Sequence, residues 1–285
     1  CCNCSMKTWT KSGSRDWLVA RLLPDGTVDP AFGDGGSVAV DVGRGGSAAA
    51  RFEDEDRIVS LDTDRRGRIL LLGTSTPRSA NPQPVAARLS PEGRPDRSFG
   101  RRGTWRPFLW KRQNRYRVPV VLEPRRIEAL PGGRILVLEG RSLAWHRTIS
   151  RRPRTDTALV WLGPDGRPDR GRRRPGAVGT RMLDGRSMKV DRCGRITVAG
   201  SVAVGRKAAR VGVVRFDRRG RLDRRFARRP AVLRVRPAEA GAGTGLTAVR
   251  HGRMHALGLP PAADRPDSFG IGALRVPPAI ARCRG

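Results

Sequence analysis

The chain has 285 residues, with 58 Lys and Arg against 26 Asp and Glu, a formal charge of +32, and only 38% hydrophobic and 5% aromatic residues. Its length allows a sizeable core, with about three quarters of the unfolded surface buried on folding. No run of 18 apolar residues is present, which excludes a membrane-spanning helix. The Cys set is odd in number and crowded at Cys1, Cys2 and Cys4, with Cys193 and Cys283 far away, so it forms neither a disulfide framework nor the two separated pairs of a zinc site.

All but five of the cations are Arg. Guanidinium groups offer forked donors to phosphate, sulfate and carboxylate. They are spread over the whole chain, however, and a dedicated nucleic-acid face predicts one stripe. Composition bias, with Arg at solvated positions, is therefore the expectation.

Residues 1–15 are polar and without periodicity, and read as a loose lead-in. An opening Cys1 without Met reads as an internal piece of a longer protein, in preference to an acylated lipoprotein Cys. The apolar strand Leu18–Leu22 then meets Pro24-Asp25-Gly26, followed by Asp29, Phe32 and Gly33. Asp-Gly marks a turn that needs positive φ. The same series returns at Arg88–Leu89 with Pro91, Gly93, Asp96 and Phe99, at Pro164-Asp165-Gly166 with Asp169, and at Gly220 with Asp223 and Phe226.

A second element alternates with it: Asp64-Arg65-Arg66-Gly67-Arg68-Ile69 runs into an apolar strand, and its Gly recurs at Gly133, Gly194 and Gly252, about 60 residues apart. With period-2 patterning and almost no helical period, each unit holds about four short strands. The fold predicted is all-β, a β-propeller or propeller-like array of about four four-stranded blades plus one extra strand, roughly seventeen strands in all. The repeat domain spans 16–276, in units 16–82, 83–155, 156–207, 208–268 and a partial 269–276, with 277–285 a tail.

The strand ending in Ala-Arg-Leu, then Pro-Asp-Gly-x-x-Asp-x-x-Phe-Gly, and later Asp-x-x-Gly-Arg-Ile-Leu-x-x-Gly, resembles the bacterial delta-60 repeat. The third unit departs from it, with Trp161 in place of the strand Arg and no Phe-Gly. The resemblance implies a propeller-type scaffold in large, often exported bacterial proteins, hence an extracellular or cell-surface location, with the cytoplasm as alternative. It brings no catalytic residues.

The structural repeat residues are Gly26, Asp29, Phe32, Gly93, Asp96, Phe99, Asp169, Gly220, Asp223 and Phe226. The repeated Asp fits an N-cap, with Pro30 at the first helical position. It also fits an ion pair with the strand residues Arg21, Arg88, Arg215 and Arg275, since a charge inside a sheet must be paired. Asp25, Asp29 and Asp34 together are a weak calcium candidate, because only the first unit supplies all three. His251 and His255 straddle a strand turn, which is poor zinc geometry, and the acidic run 53–56 reads as charge balance.

The most singular segment is the insertion 105–117. Trp105, Arg106, Trp110, Lys111, Arg112, Arg115, Tyr116 and Arg117 interleave rings with cations, a pattern that suits single-stranded nucleic acid or an anionic glycan. The Arg runs 170–174 and 224–229 extend such a surface or are merely solvated turns.

Taken together these features predict a non-catalytic scaffold that presents loops for protein or surface interaction, with no cofactor. Polyanion binding through the Arg-rich turns and the insertion is the alternative. A propeller hydrolase or lyase stands third, for want of a nucleophile elbow, phosphate loop or clustered His. The partner is left at a protein or an anionic polymer, and the oligomeric state is not indicated.

Overall fold

Alternating apolar residues between Gly-centred turns produce nineteen strands among the residues described by the computed structural model, which are 3–9, 16–42, 56–75, 83–107, 110–113, 116–143, 156–169, 176–178, 182–204, 208–226, 231–232, 242–246, 253–259 and 270–275. Five sheets form, and within each the strands follow chain order. Sheet one holds β1 (Asn3–Trp9), β2 (Asp16–Leu22) and β3 (Ser37–Val40). Sheet two holds β4 (Arg57–Thr63), β5 (Ile69–Ser75), β6 (Gln83–Leu89) and β7 (Thr104–Trp105). Sheet three holds β8 (Trp110–Gln113), β9 (Tyr116–Ala129), β10 (Ile135–Leu143), β11 (Asp156–Leu162) and β12 (Gly176–Val178). Sheet four holds β13 (Met182–Val190), β14 (Ile196–Val204), β15 (Ala208–Phe216) and β16 (Ala231–Val232), and sheet five holds β17 (Ala242–Leu246), β18 (Arg253–Leu259) and β19 (Gly270–Arg275).

Two details differ from the expectation. Residues 3–9 are strand, not loose lead-in: β1 runs antiparallel to β2 from Asn3↔Leu22 to Trp9↔Asp16. The last strand, β19, pairs with β18 from Arg253↔Arg275 to Gly258↔Gly270, and so completes sheet five instead of standing as a single extra strand. The physical reason is shared. A hairpin pairs strands adjacent in sequence whichever side of a repeat boundary they fall on, so each sheet takes strands from the end of one sequence unit and the start of the next. β5 and β6 show it, pairing from Ile69↔Leu89 to Ser75↔Gln83.

The chain divides into two units. The first comprises 1–111, 121–137 and 161–169, and the second 112–120, 138–160 and 170–285. In the first, Trp17, Val19, Phe32, Val40 and Val42 pack with Ile69, Leu71, Val85, Ala87 and Leu89 in one buried cluster between sheets one and two. Each fully buried side chain of this size contributes about 1.5–3 kcal/mol. Sheet two is also tied to β9 by polar contacts: Ser60 Oγ accepts from Ile127 N at 3.2 Å and Asp62 Oδ2 from Ala129 N at 2.7 Å. In the second unit the core residues include Met188, Ile196, Val198, Val211, Val213 and Phe216.

Register fixes where the turns emerge. Thr63 pairs with Ile69 and Ile69 with Leu89, so the 64–68 turn and the 90–103 connection leave sheet two at the same end. In sheet four, Val190 pairs with Ile196 and Ile196 with Phe216, which puts 191–195 and 217–226 at one end too. The Gly-centred turns of a sheet are therefore gathered, although in sequence they are separated.

Candidate functional site

The regular Arg and Asp of the repeat face each other. The turn returns each Asp to its strand through the backbone, Asp29 N to Arg21 O, Asp96 N to Arg88 O and Asp223 N to Arg215 O, at 2.8–2.9 Å. The side chains then close: Nε of Arg21, Arg88 and Arg215 donates to Oδ2 of Asp29, Asp96 and Asp223 at 2.7, 2.7 and 2.9 Å. Each guanidinium also lies over the Phe three residues past its Asp, at 4.9 Å from Phe32, 4.8 Å from Phe99 and 4.7 Å from Phe226. The other carboxylate oxygen accepts a backbone N–H two residues on, from Ala31, Ser98 and Arg225. The Asp is thus a turn cap and an ion-pair partner at once.

The same Arg links sheets in the first unit. Arg21 Nη1 donates to Pro91 O at 2.5 Å and Arg88 Nη1 to Pro164 O at 2.6 Å, while Gly33 N and Gly100 N donate to Glu92 O and Asp165 O. Gly93 and Gly166 lie against the rings, where an added Cβ would come within 3.0 Å of Phe32 and 2.5 Å of Phe99. In sheet three the backbone bond Asp169 N to Trp161 O persists, but the clasp has no Arg and no Phe.

Electrostatics follow from this pairing. Burial pushes the Asp96 carboxyl up, but hydrogen bonds from Ser98 and Arg88 outweigh it and hold the group below its ordinary value. Asp64 behaves likewise, burial being outweighed by Arg68 and by the Arg68 and Arg66 backbone N–H groups. Burial depresses the Arg215 guanidinium, with Asp223 opposing the shift. In the hairpin turns, Asp64 Oδ2 accepts from Arg68 Nε at 2.7 Å and Asp191 Oδ2 from Arg195 Nε at 2.6 Å.

The calcium candidates do not converge. Asp25 Oδ1 is held by Thr27 N and Oγ1, Asp29 is taken by Arg21 and Ala31 N, and Asp34 is exposed. Among the described residues no three His, Cys, Asp or Glu side chains come together. The repeat glycines Gly26, Gly93 and Gly220 sit at positive φ in their turns. Of the insertion, Trp105 ends β7 and is buried, which leaves no open ring face for a base to stack on, and Arg106 is half-buried. Trp110, Lys111 and Arg112 stand on β8 and Tyr116 and Arg117 on β9, with their side chains outside the described residues; Arg115 lies outside them altogether, as do His251, the side chain of His255, the runs 170–174 and 227–229, and residues 53–55.

What the topology does assemble is the turn end of sheet four. Arg192 in the 191–195 turn and Arg218, Arg219, Arg221, Arg224 and Arg225 in 217–226 are all exposed. The two turns pack on each other: a Cβ at Gly194 would lie 3.2 Å from Arg218 Cβ. Every carboxylate of these turns is engaged internally. Asp191 holds Arg195, Asp223 holds Arg215, and Asp217 Oδ1 accepts from Arg219 N and Arg221 N. Among the described residues the exposed guanidinium groups are therefore uncompensated by exposed acids of these two turns. The spread of Arg along the sequence argued against such a face; the meander gathers the turns and supplies it.

Three further residues escaped the sequence reading. Glu139 is 1% exposed and stands on β10 where the matching strands β5 and β14 have Gly73 and Gly200, a departure visible once the Gly-Arg-Ile copies are aligned. Asp16, next to the Trp17↔Val40 pair, is pushed up by burial and by the Asp41 charge. Cys193, in the Arg-bearing turn, is disulfide-bonded, so the odd Cys count concealed a bridge. A groove of about 610 Å³ between β2–β3 and the 92–95 turn is lined by Leu18 and Val38 with Asp34, Glu92 and Arg94, charges of both signs without a cluster.

Residues 8–32 and 67–99 match the family model described as a domain of unknown function (DUF5122) beta-propeller, and they contain both halves of the repeat and the first two clasps. The chain is an all-β protein of the β-propeller class. No curated protein matches it. Among solved structures it is similar to an endo-arabinase from Bacteroides thetaiotaomicron, at 10% identity and TM-score 0.41 over 92% of this chain and 85% of that one. It is also similar to an alpha-L-arabinofuranosidase from Clostridium thermocellum, at 10% identity and TM-score 0.38 over 90% and 81%. At this level the likeness transfers no activity. Both neighbours are named as enzymes, and the expectation of a non-catalytic scaffold, with the exclusion of enzyme function, is withdrawn. Among the described residues no helix is long and apolar enough to cross a membrane.

Proposed function

We propose that the chain is a propeller module of the delta-60 type that binds anionic polymers through the turn end of sheet four. The observation that carries this is the set of six exposed Arg on two mutually packed turns whose own Asp residues are all engaged. Exposed guanidinium forks on rigid hairpin turns suit the repeated anionic groups of a polymer, each contact adding modest affinity and a share of salt dependence. The disulfide at Cys193 supports an extracellular or cell-surface location, since such bonds persist in oxidising compartments. The proposal is independent of any chemistry the chain performs.

The test is retention of the full chain on immobilised heparin across a salt gradient. The variant Arg218→Ser/Arg221→Ser/Arg224→Ser is expected to elute well below wild type. A charge-matched control, Arg65→Ser/Arg94→Ser/Arg97→Ser, removes three exposed Arg of the first unit and is expected to elute close to wild type. Equal loss in both would show that net charge, and not this surface, governs binding.

A further inference from the structure

Resting on that reading, we infer that the ligand of the sheet-four surface is an anionic glycan, recognised through its sulfate or carboxylate groups. Two independent observations select it. The first is the placement of the described aromatic rings. Among the described residues Trp17, Trp105, Trp161, Phe32, Phe99 and Phe216 are buried, and Phe226 has its face under the Arg215 guanidinium at 4.7 Å. The exposed large hydrophobics there are Leu23, Val28 and Val59, none aromatic and none in sheet four. Single-stranded nucleic acid is held by rings that stack on its bases as much as by charge. Among the described residues the sheet-four end thus offers six exposed guanidinium groups and one ring, the half-buried Phe226 already stacked with Arg215, so charge is what it reads first.

The second is the redox state of the turn that bears the charge. Cys193 lies between Arg192 and Gly194 and is disulfide-bonded. A surface whose turn is tied by a disulfide works where thiols stay oxidised, and outside the cell the abundant polyanions are glycans. The turn itself is preorganised by Asp191, whose Oδ1 accepts from Cys193 N and Arg195 N at 2.9 Å while Oδ2 holds Arg195. Preorganised donors lose less entropy on binding a flexible chain.

The experiment is a competition on the full, oxidised chain at about 0.15 M salt, near physiological screening, with heparin, hyaluronan, and duplex and single-stranded DNA matched in total charge. The expected result is that heparin binds at least about fivefold more tightly than either DNA. Loss of binding to hyaluronan alone assigns the sulfate groups, and retention assigns the carboxylates as well. The triple variant at 218, 221 and 224 should weaken glycan binding by roughly tenfold, with an unchanged thermal melt showing that it folds. DNA bound as tightly as heparin, and lost in the same variant, would overturn the glycan inference and leave the surface standing. Binding to none of the four polymers would overturn the surface itself.

Discussion

Arg88 Nε lies 2.7 Å from Asp96 Oδ2, and the Arg88 side chain is only 2% exposed, whereas the equivalent Arg21 beside Asp29 is 19% exposed. The two pairs share geometry and differ in burial, which makes them a graded test of one interaction.

Asp96→Ala is expected to destabilise the protein by about 3–5 kcal/mol, because it leaves a desolvated guanidinium without its counter-charge. Asp29→Ala removes the same contact from a wetter site and is expected to cost about 1.5–3 kcal/mol. Urea or thermal unfolding of the two variants measures the difference. An equal effect would show that burial of Arg88 does not control the energetics.

Gly166 and Gly26 both sit at positive φ, at 73° and 87°, but a Cβ at Gly166 meets the Phe99 ring at 2.5 Å and one at Gly26 meets nothing within 4 Å. Gly26→Ala is therefore expected to cost about 1 kcal/mol, from backbone conformation alone. Gly166→Ala adds a clash of about 1–3 kcal/mol. Combining Gly166→Ala with Phe99→Leu should recover part of the loss, and no recovery would place the strain elsewhere.

The carboxylates predict opposite responses to acid. Asp64 and Asp96 have folded pKa values below the ordinary 3.8, so their stabilisation is complete above that value and is lost as pH falls from it through the lowered folded values. Asp16 is raised above 3.8 by burial and by Asp41, so its contribution is favourable below that value and is lost as pH rises through its folded pKa. Asp16→Asn should then stabilise the protein at pH 7, by about 0.2–1 kcal/mol as for like charges on neighbouring strands, and do nothing for it at pH 3. Asp96→Asn should be most damaging at pH 7 and least below pH 3. Melts of the two variants across this range check both signs.

The period, the Gly-centred turns and the partnership of strand Arg with turn Asp were legible in the chain because they depend on neighbours: φ at Gly26, the apolar alternation of β5 and β6, and an Arg and an Asp eight residues apart at Arg21–Asp29, Arg88–Asp96 and Arg215–Asp223. The aromatic insertion drew attention for its composition, but composition does not report burial, and Trp105 proved to be core. The phase of the sheets escaped because a repeat boundary in sequence is arbitrary, while hydrogen bonding joins adjacent strands across it, as β5 and β6 do.

By itself the sequence determined an all-β repeat, its turn chemistry and the charged residues each turn holds in place, since all of these arise within about ten residues. The tertiary structure alone decided that Arg88 reaches Pro164, that Glu139 is buried where matching strands have glycine, and that Arg192 and Arg218–Arg225 share one end of a sheet. These relationships depend on register, which places residues tens of positions apart within a few ångströms and leaves no mark in local composition.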